Sequence, residues 1–366
     1  MNAINDYFKT FSDKLLYLNL KENSQYESLK DLELPIYSKD FSEKIKTNEL
    51  ENSLSLETII DGMLINIAID PNFKYVDDYI ELVQKYVKSI ADYTATKAME
   101  FEKVDEIKAT LFYRAGYIIN PFNNYNAYNY ARKLWPIAYN QKEKDKEQFI
   151  SSAIEILQTI IARDEEFPLS YYELANIYVN LGEYVKARNY YNNALRNVEN
   201  ELAKEEIRSK LEQIEDNANI EQAIYYIGKS NYNEAIRLLT KTIAKTKRPD
   251  AYYYLAVCYQ NINQLENSIQ EFLNALDKGG EFKEIYNDLA VSYYLNKEND
   301  KALKVLDHAL KKYPEDPKLQ YNKLQINISS GNLKQAKLEL ENLLSYDDLS
   351  DEIFNNLMII KEQFKL

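Results

Sequence analysis

The apolar positions along the second half of the chain fall on a helical period and then repeat as a block. Tyr252, Leu255, Ala256 and Tyr259 are spaced i, i+3, i+4, i+7, which places them on one stripe of an α-helix. Ser268, Phe272 and Ala275 follow on a second helix. Thirty-four residues after the first set come Tyr286, Leu289, Ala290 and Tyr293, then Ala302, Leu306 and Ala309. The small residues let two helices approach closely, and the rings fill the space beside them. One such hairpin cannot bury its apolar face alone, so the pattern predicts hairpins stacked on one another.

The small residue that opens each second helix marks the period: Ala187, Ala235, Ser268, Ala302 and Ala336, with gaps of 48, 33, 34 and 34. The repeat around Ala187 carries Tyr171, Leu174, Ala175, Tyr178, Tyr191 and Ala194. Ala223 and Tyr226 serve the Ala235 repeat. The gap of 48 predicts a first helix lengthened by about four turns through residues 201–217. Gly182 and Gly331 fall where first helices end, as left-handed caps. Asp316 and Pro317 make a helix start, and Pro168, Pro249 and Pro314 fall between hairpins. The last repeat is degenerate, with Gln320, Lys323, Leu324 and Asn327 at the signature positions. Ile353, Leu357, Ile360 and Phe364 predict one closing helix.

Upstream the pattern is looser. Residues 2–20 read as an amphipathic helix with Tyr7, Phe8, Phe11, Leu15 and Leu18 to one side. It is expected to dock on the first hairpin, or else to act as a detachable arm. Residues 21–52, with Pro35 in the middle, read as a polar linker. Residues 54–69 predict a helix (Leu56, Ile59, Ile60, Met63, Leu64, Ile67) capped by Ser53 or Ser55, and residues 75–90 its return. Residues 104–119 and 125–139 read as an atypical repeat, with Pro136 kinking or splitting the second helix. Residues 147–162, whose Ala153 lies 34 residues before Ala187, read as the second helix of another. The expected organisation is 1–53 for the N-terminal helix and linker, 54–163 for divergent hairpins, 164–348 for clear repeats and 349–366 for a capping helix. No β-type alternation is seen, so the chain is expected to be all-α without a sheet.

A period of this length with aromatic–x2–Leu–small–x2–Tyr and then small–x3–large resembles the tetratricopeptide repeat family. The resemblance implies a right-handed α-solenoid that binds another protein or peptide segment without catalysis. It also implies that the first helices line a concave groove. Carried over position by position, the groove residues are Tyr172, Asn176 and Val179, then Tyr253, Val257 and Gln260, then Asn287, Val291 and Tyr294, then Tyr321 and Gln325. One use of the groove in the family is a clamp on acidic chaperone tails, which needs lysines. Here those lysine positions hold Tyr172, Tyr253, Asn287 and Tyr321, which argues against that ligand. An aromatic groove with scattered amides suits an apolar or helical segment. The alternative is a structural subunit of a larger bacterial assembly in secretion, the envelope or motility.

Composition narrows the field. Net charge is 45 − 58 = −13, so a nucleic acid or an anionic membrane surface would be repelled. No stretch approaches the length of a membrane span, and residues 1–20 lack the apolar run of a signal peptide. The single cysteine, Cys258, excludes an intramolecular disulfide and fits a cytoplasmic location. The 33 tyrosines, with the wealth of Asn, Lys and Ile, suggest an AT-rich bacterial genome. The only histidine, His308, has no nucleophile motif near it, and one His with one Cys cannot build a metal site. No phosphate-cradling glycine loop or metalloprotease motif is present. No catalytic residue, metal or cofactor is therefore expected.

Overall fold

The computed structural model describes residues 2–18, 32–39, 55–346 and 349–364. It is 80% helical, with eighteen α-helices among the described residues, most of them in stacked hairpins. Two compact units divide it, Met1–Leu211 and Glu212–Leu366.

The first unit begins with α1 (Ala3–Lys9), capped by the Asn2 side chain on Ile4 and Asn5. The helix does not run to residue 20. Thr10 Oγ1 and Ser12 Oγ turn back to the carbonyls of Tyr7 and Lys9, competing with the helical ladder. The chain tightens into a 3-10 turn, Thr10–Lys14, and then leaves as a strand, β1 (Leu15–Leu18). Its partner is β2 (Leu34–Tyr37), antiparallel, with Leu15 opposite Tyr37 and Leu18 opposite Leu34. The expectation of no sheet is therefore corrected by one two-stranded ribbon. Residues 34–37, expected within a polar linker, are a buried strand. The rest of the expected linker, 21–31 and 40–52, lies outside the described residues.

The ribbon exists because of α2 (Leu56–Ile69). This helix is mostly apolar, and every residue from Thr58 to Ile69 is buried, Asp61 and Asn66 included. A helix of that kind must be covered all round. β2 covers one side, and Gly62 makes the approach possible: a Cβ there would fall 1.8 Å from the Pro35 carbonyl oxygen. Ser55 caps α2 by accepting from Thr58 N. α1 covers another side. Phe8 lies under the Arg114 guanidinium, 4.1 Å from the ring centre, and that guanidinium also donates to Ala68 O and Asn5 Oδ1. The N-terminal helix is thus docked on the unit.

Next come α3 (Val76–Tyr86), α4 (Ile90–Phe101), α5 (Glu106–Ile119), α6 (Asn124–Ile137), α7 (Glu143–Arg163), α8 (Pro168–Asn180) and α9 (Tyr184–Asn197). The pairing differs from the sequence reading. α4 packs chiefly on α5, and α6 chiefly on α7, so 125–139 opens a hairpin instead of closing one. α4 had left little trace, because its buried positions are Ile90, Thr94 and Ala98, two of them small and one polar. Pro136 lies inside α6, in its last turn, so it does not split the helix; a 3-10 turn, Ala138–Asn140, follows.

α10 (Glu201–Gly228) has 28 residues against 13 in the ordinary first helices, the lengthening the 48-residue gap requires. The second unit contains its latter part and α11 (Tyr232–Thr246), α12 (Pro249–Asn261), α13 (Leu265–Asp277), α14 (Lys283–Leu295), α15 (Asn299–Lys312), α16 (Pro317–Ser329), α17 (Leu333–Leu344) and α18 (Asp351–Phe364). Prolines open α8, α12 and α16, and Asp316 caps α16. The markers Ala187, Ala235, Ser268, Ala302 and Ala336 are all fully buried.

Each clear first helix ends the same way. The residue five before the marker is left-handed: Gly182, Ser230, Asn263, Lys297 and Gly331, with φ between 57° and 76°. The next N–H then bonds back to the carbonyl of the last signature position: Glu183 to Tyr178, Asn231 to Tyr226, Gln264 to Tyr259, Glu298 to Tyr293 and Asn332 to Asn327, at 2.8–2.9 Å.

Candidate functional site

The expected groove residues of the second unit lie on α12, α14 and α16, and hydrogen bonds tie these first helices together. Tyr253 Oη donates to Asp288 Oδ2 at 2.8 Å, and Gln260 Nε2 donates to Asp288 O and to Ser292 Oγ. Asn287 Nδ2 donates to Asp288 Oδ1 at 2.8 Å, and Asn322 Nδ2 donates to Asn287 Oδ1 at 2.6 Å. On α16, Gln325 Nε2 donates to Tyr321 Oη. A polar seam therefore runs Tyr253–Asp288–Asn287–Asn322 across three hairpins.

Burial sorts the row. Asn287 is closed off at 5% exposure. Tyr253, Val257, Gln260, Val291, Tyr294 and Tyr321 are partly open, and Gln325 is exposed. Tyr253 also packs edge-on against Phe282 at 5.1 Å and leans on Phe272. Burial and then the Asp288 carboxylate push its phenol well above the usual tyrosine range. The ring is thus part of the stacking as well as of the surface.

In the first unit the α8 positions make their own contacts. Tyr172 donates to Glu206 on α10, one repeat on. Asn176 Oδ1 accepts from Tyr191 Oη at 2.6 Å, and Val179 is partly buried.

The repeats are also recognisable directly. Residues 168–200 match one model of the tetratricopeptide repeat, and residues 220–282 and 259–317 match another. This is a tetratricopeptide repeat protein. No curated protein matches its sequence. Among solved structures it is similar to a tetratricopeptide repeat protein from Parabacteroides merdae, 18% identical, covering 74% of this chain and 98% of that one with a TM-score of 0.38. It is similar to PilW, described as a widely conserved type IV pilus biogenesis factor, at 16% identity, 63% and 98% coverage and a TM-score of 0.43. A third is YrrB, a protein of the same repeat with an unusual peptide-binding site, at 16% identity, 57% and 95% coverage and a TM-score of 0.36.

Asp288, Ser292 and Asn322, which build the seam of this tetratricopeptide repeat protein, were not among the residues expected from the sequence. The available signal was the 34-residue spacing of Asp288 and Asn322, each one position after a groove residue. A second feature also went unread. A cleft of about 510 Å³ in the first unit is lined by Tyr7, Phe11, Arg132, Lys133, Trp135 and Glu173, with others. Its sequence signals were the sole tryptophan and the glutamate beside the Leu174 signature position.

The remaining reactive side chains are quiet. Cys258 is fully buried, and burial pushes its thiol up to about 12, so it packs as a small apolar group. His308 is exposed, its ring 5.6 Å from that of Tyr286. Among the described residues no group of three or more His, Cys, Asp or Glu side chains could hold a metal ion. No described helix is long and apolar enough to cross a membrane.

Proposed function

We propose that this chain is a non-catalytic interaction module that holds a segment of another protein against the first helices of its second unit. The observation that carries the reading is the row Val257, Val291, Tyr294, Tyr321 and Gln325. These side chains keep open surface on three successive hairpins, while Leu255, Leu289 and Leu324 on the same helices are closed off. Hydrogen bonds join the helices that carry the row, so little order has to be imposed when a partner docks. Rings with a few amides favour an apolar or helical segment. The single buried thiol suits a reducing cytoplasm.

The test is a pull-down from the native host with the intact chain and with Tyr294→Ala and Tyr321→Ala. A partner retained by the intact chain and lost from either variant, at unchanged helical content, supports the reading. A partner held equally by all three contradicts it.

One observation favours the assembly-subunit reading instead. Leu338, Phe354 and Ile359, on α17 and the closing helix α18, are 55%, 47% and 59% exposed. Apolar surface at the end of a stack suits contact with a neighbouring subunit. Association of the purified chain that Phe354→Ser with Ile359→Ser abolishes would favour it, and a monomer at all concentrations would remove it.

A further inference from the structure

The cleft in the first unit contains a buried carboxylate that makes no ion pair among the described residues. Glu173, on α8, is 5% exposed. Trp135 Nε1 donates to its Oε1 at 2.6 Å, and Asn176 Nδ2 reaches Oε2 only at 3.5 Å. No Lys or Arg pairs with it among the described residues. The two cations on the cleft wall form their ion pairs elsewhere, and the Arg132 charge acts on Glu173 only through space, lowering its proton affinity less than burial raises it. Arg132 holds Glu102, and Lys133 holds Glu102 at 3.4 Å and Glu106 at 3.0 Å. Burial raises the proton affinity of Glu173 above the ordinary carboxylate range. A glutamine would satisfy the indole as well, without the desolvation cost of a charge.

The rest of the wall suits a cation. Tyr7, Phe11 and Trp135 present aromatic rings to the same space, and such rings attract ammonium and guanidinium groups. The volume exceeds what one lysine side chain needs, leaving room for its neighbours on a chain. The net charge of −13 attracts basic partners. We propose that this cleft receives a Lys or Arg side chain presented by a segment of a partner protein, with Glu173 as counter-ion and Tyr7, Phe11 and Trp135 as walls. The site lies wholly in the first unit, whereas the proposed groove lies in the second, so the two readings fail separately.

Trp135 is the sole tryptophan, so its emission reports on the site in the full chain. The probes are the acetylated tripeptide amides Leu-Lys-Leu, Leu-Arg-Leu and the uncharged Leu-norleucine-Leu, with n-butylammonium beside them. The expected result is a saturable change with the Lys and Arg peptides at an affinity about tenfold or more above that of the norleucine peptide. Glu173→Gln, which keeps an acceptor for the indole, should erase that preference and leave norleucine binding unchanged. If Glu173→Gln unfolds the unit, Phe11→Leu should lower the Lys and Arg affinities severalfold more than it lowers that of norleucine. Equal affinity for charged and uncharged peptides, or no saturable response to any of them, would overturn the proposal. So would n-butylammonium binding as tightly as Leu-Lys-Leu, which would make the cleft a small-amine site.

Discussion

Tyr253 on α12 donates its hydroxyl to Asp288 on α14, 35 residues further along the chain, at 2.8 Å. The relationship recurs: Tyr172 reaches Glu206, and Asn322 reaches Asn287. At positions expected to face a ligand, this chain ties one repeat to the next. A side chain that does both jobs cannot be removed without cost to the stack.

Tyr253→Phe should therefore lower stability by about 1 kcal/mol, the net worth of one partly buried hydrogen bond. Tyr253→Ala, which also strips the contacts with Phe272 and Phe282, should cost roughly 2 kcal/mol or more. Urea unfolding followed by circular dichroism measures both. An unchanged midpoint in Tyr253→Ala would show the ring contributes only surface.

The helix–helix contact at the markers gives a stricter test of register. Ala290 and Ala302 are fully buried in one cluster with Leu289, Leu306 and Phe272. Ala290→Leu and Ala302→Leu should each overpack it at a cost of about 1–3 kcal/mol. Wild-type melting temperatures in both variants would mean that these residues do not meet another helix.

Much of this was legible because the repeat makes each position vote several times. Ala187, Ala235, Ser268, Ala302 and Ala336 share one environment, so the period announces their burial. The lengthened α10 followed from arithmetic on the same markers. What the sequence hid was of another kind. β2 is four residues long and contains a proline, and only the fully buried α2 behind Gly62 explains it. α4 uses Thr94 and Ala98 where larger residues would have shown a stripe. The seam partner Asp288 looks like any surface acid until its neighbour on α12 is in view. The left-handed caps were visible at Gly182 and Gly331 and disguised at Ser230, Asn263 and Lys297.

Those disguised caps carry a prediction of their own. Lys297 has φ 63°, a conformation that costs a residue with a Cβ about 1–2 kcal/mol. Glycine avoids that strain but loses more chain entropy on folding. Lys297→Gly should thus stabilise the chain by up to about 1 kcal/mol, and Gly331→Ala should destabilise it by a similar amount. Differential scanning calorimetry reads both signs; a destabilised Lys297→Gly would mean that the turn is not held as described.

The most direct measurement of the interaction role is site-specific photocrosslinking in the native host. A photoreactive benzoylphenylalanine is placed at Tyr321 or Tyr294 on the first helices, and at Leu338 on α17 for comparison. One discrete crosslinked partner is expected from positions 321 and 294 and none from 338. Crosslinks from 338 alone, with the first-helix positions silent, would contradict it and move the working surface to the end of the stack.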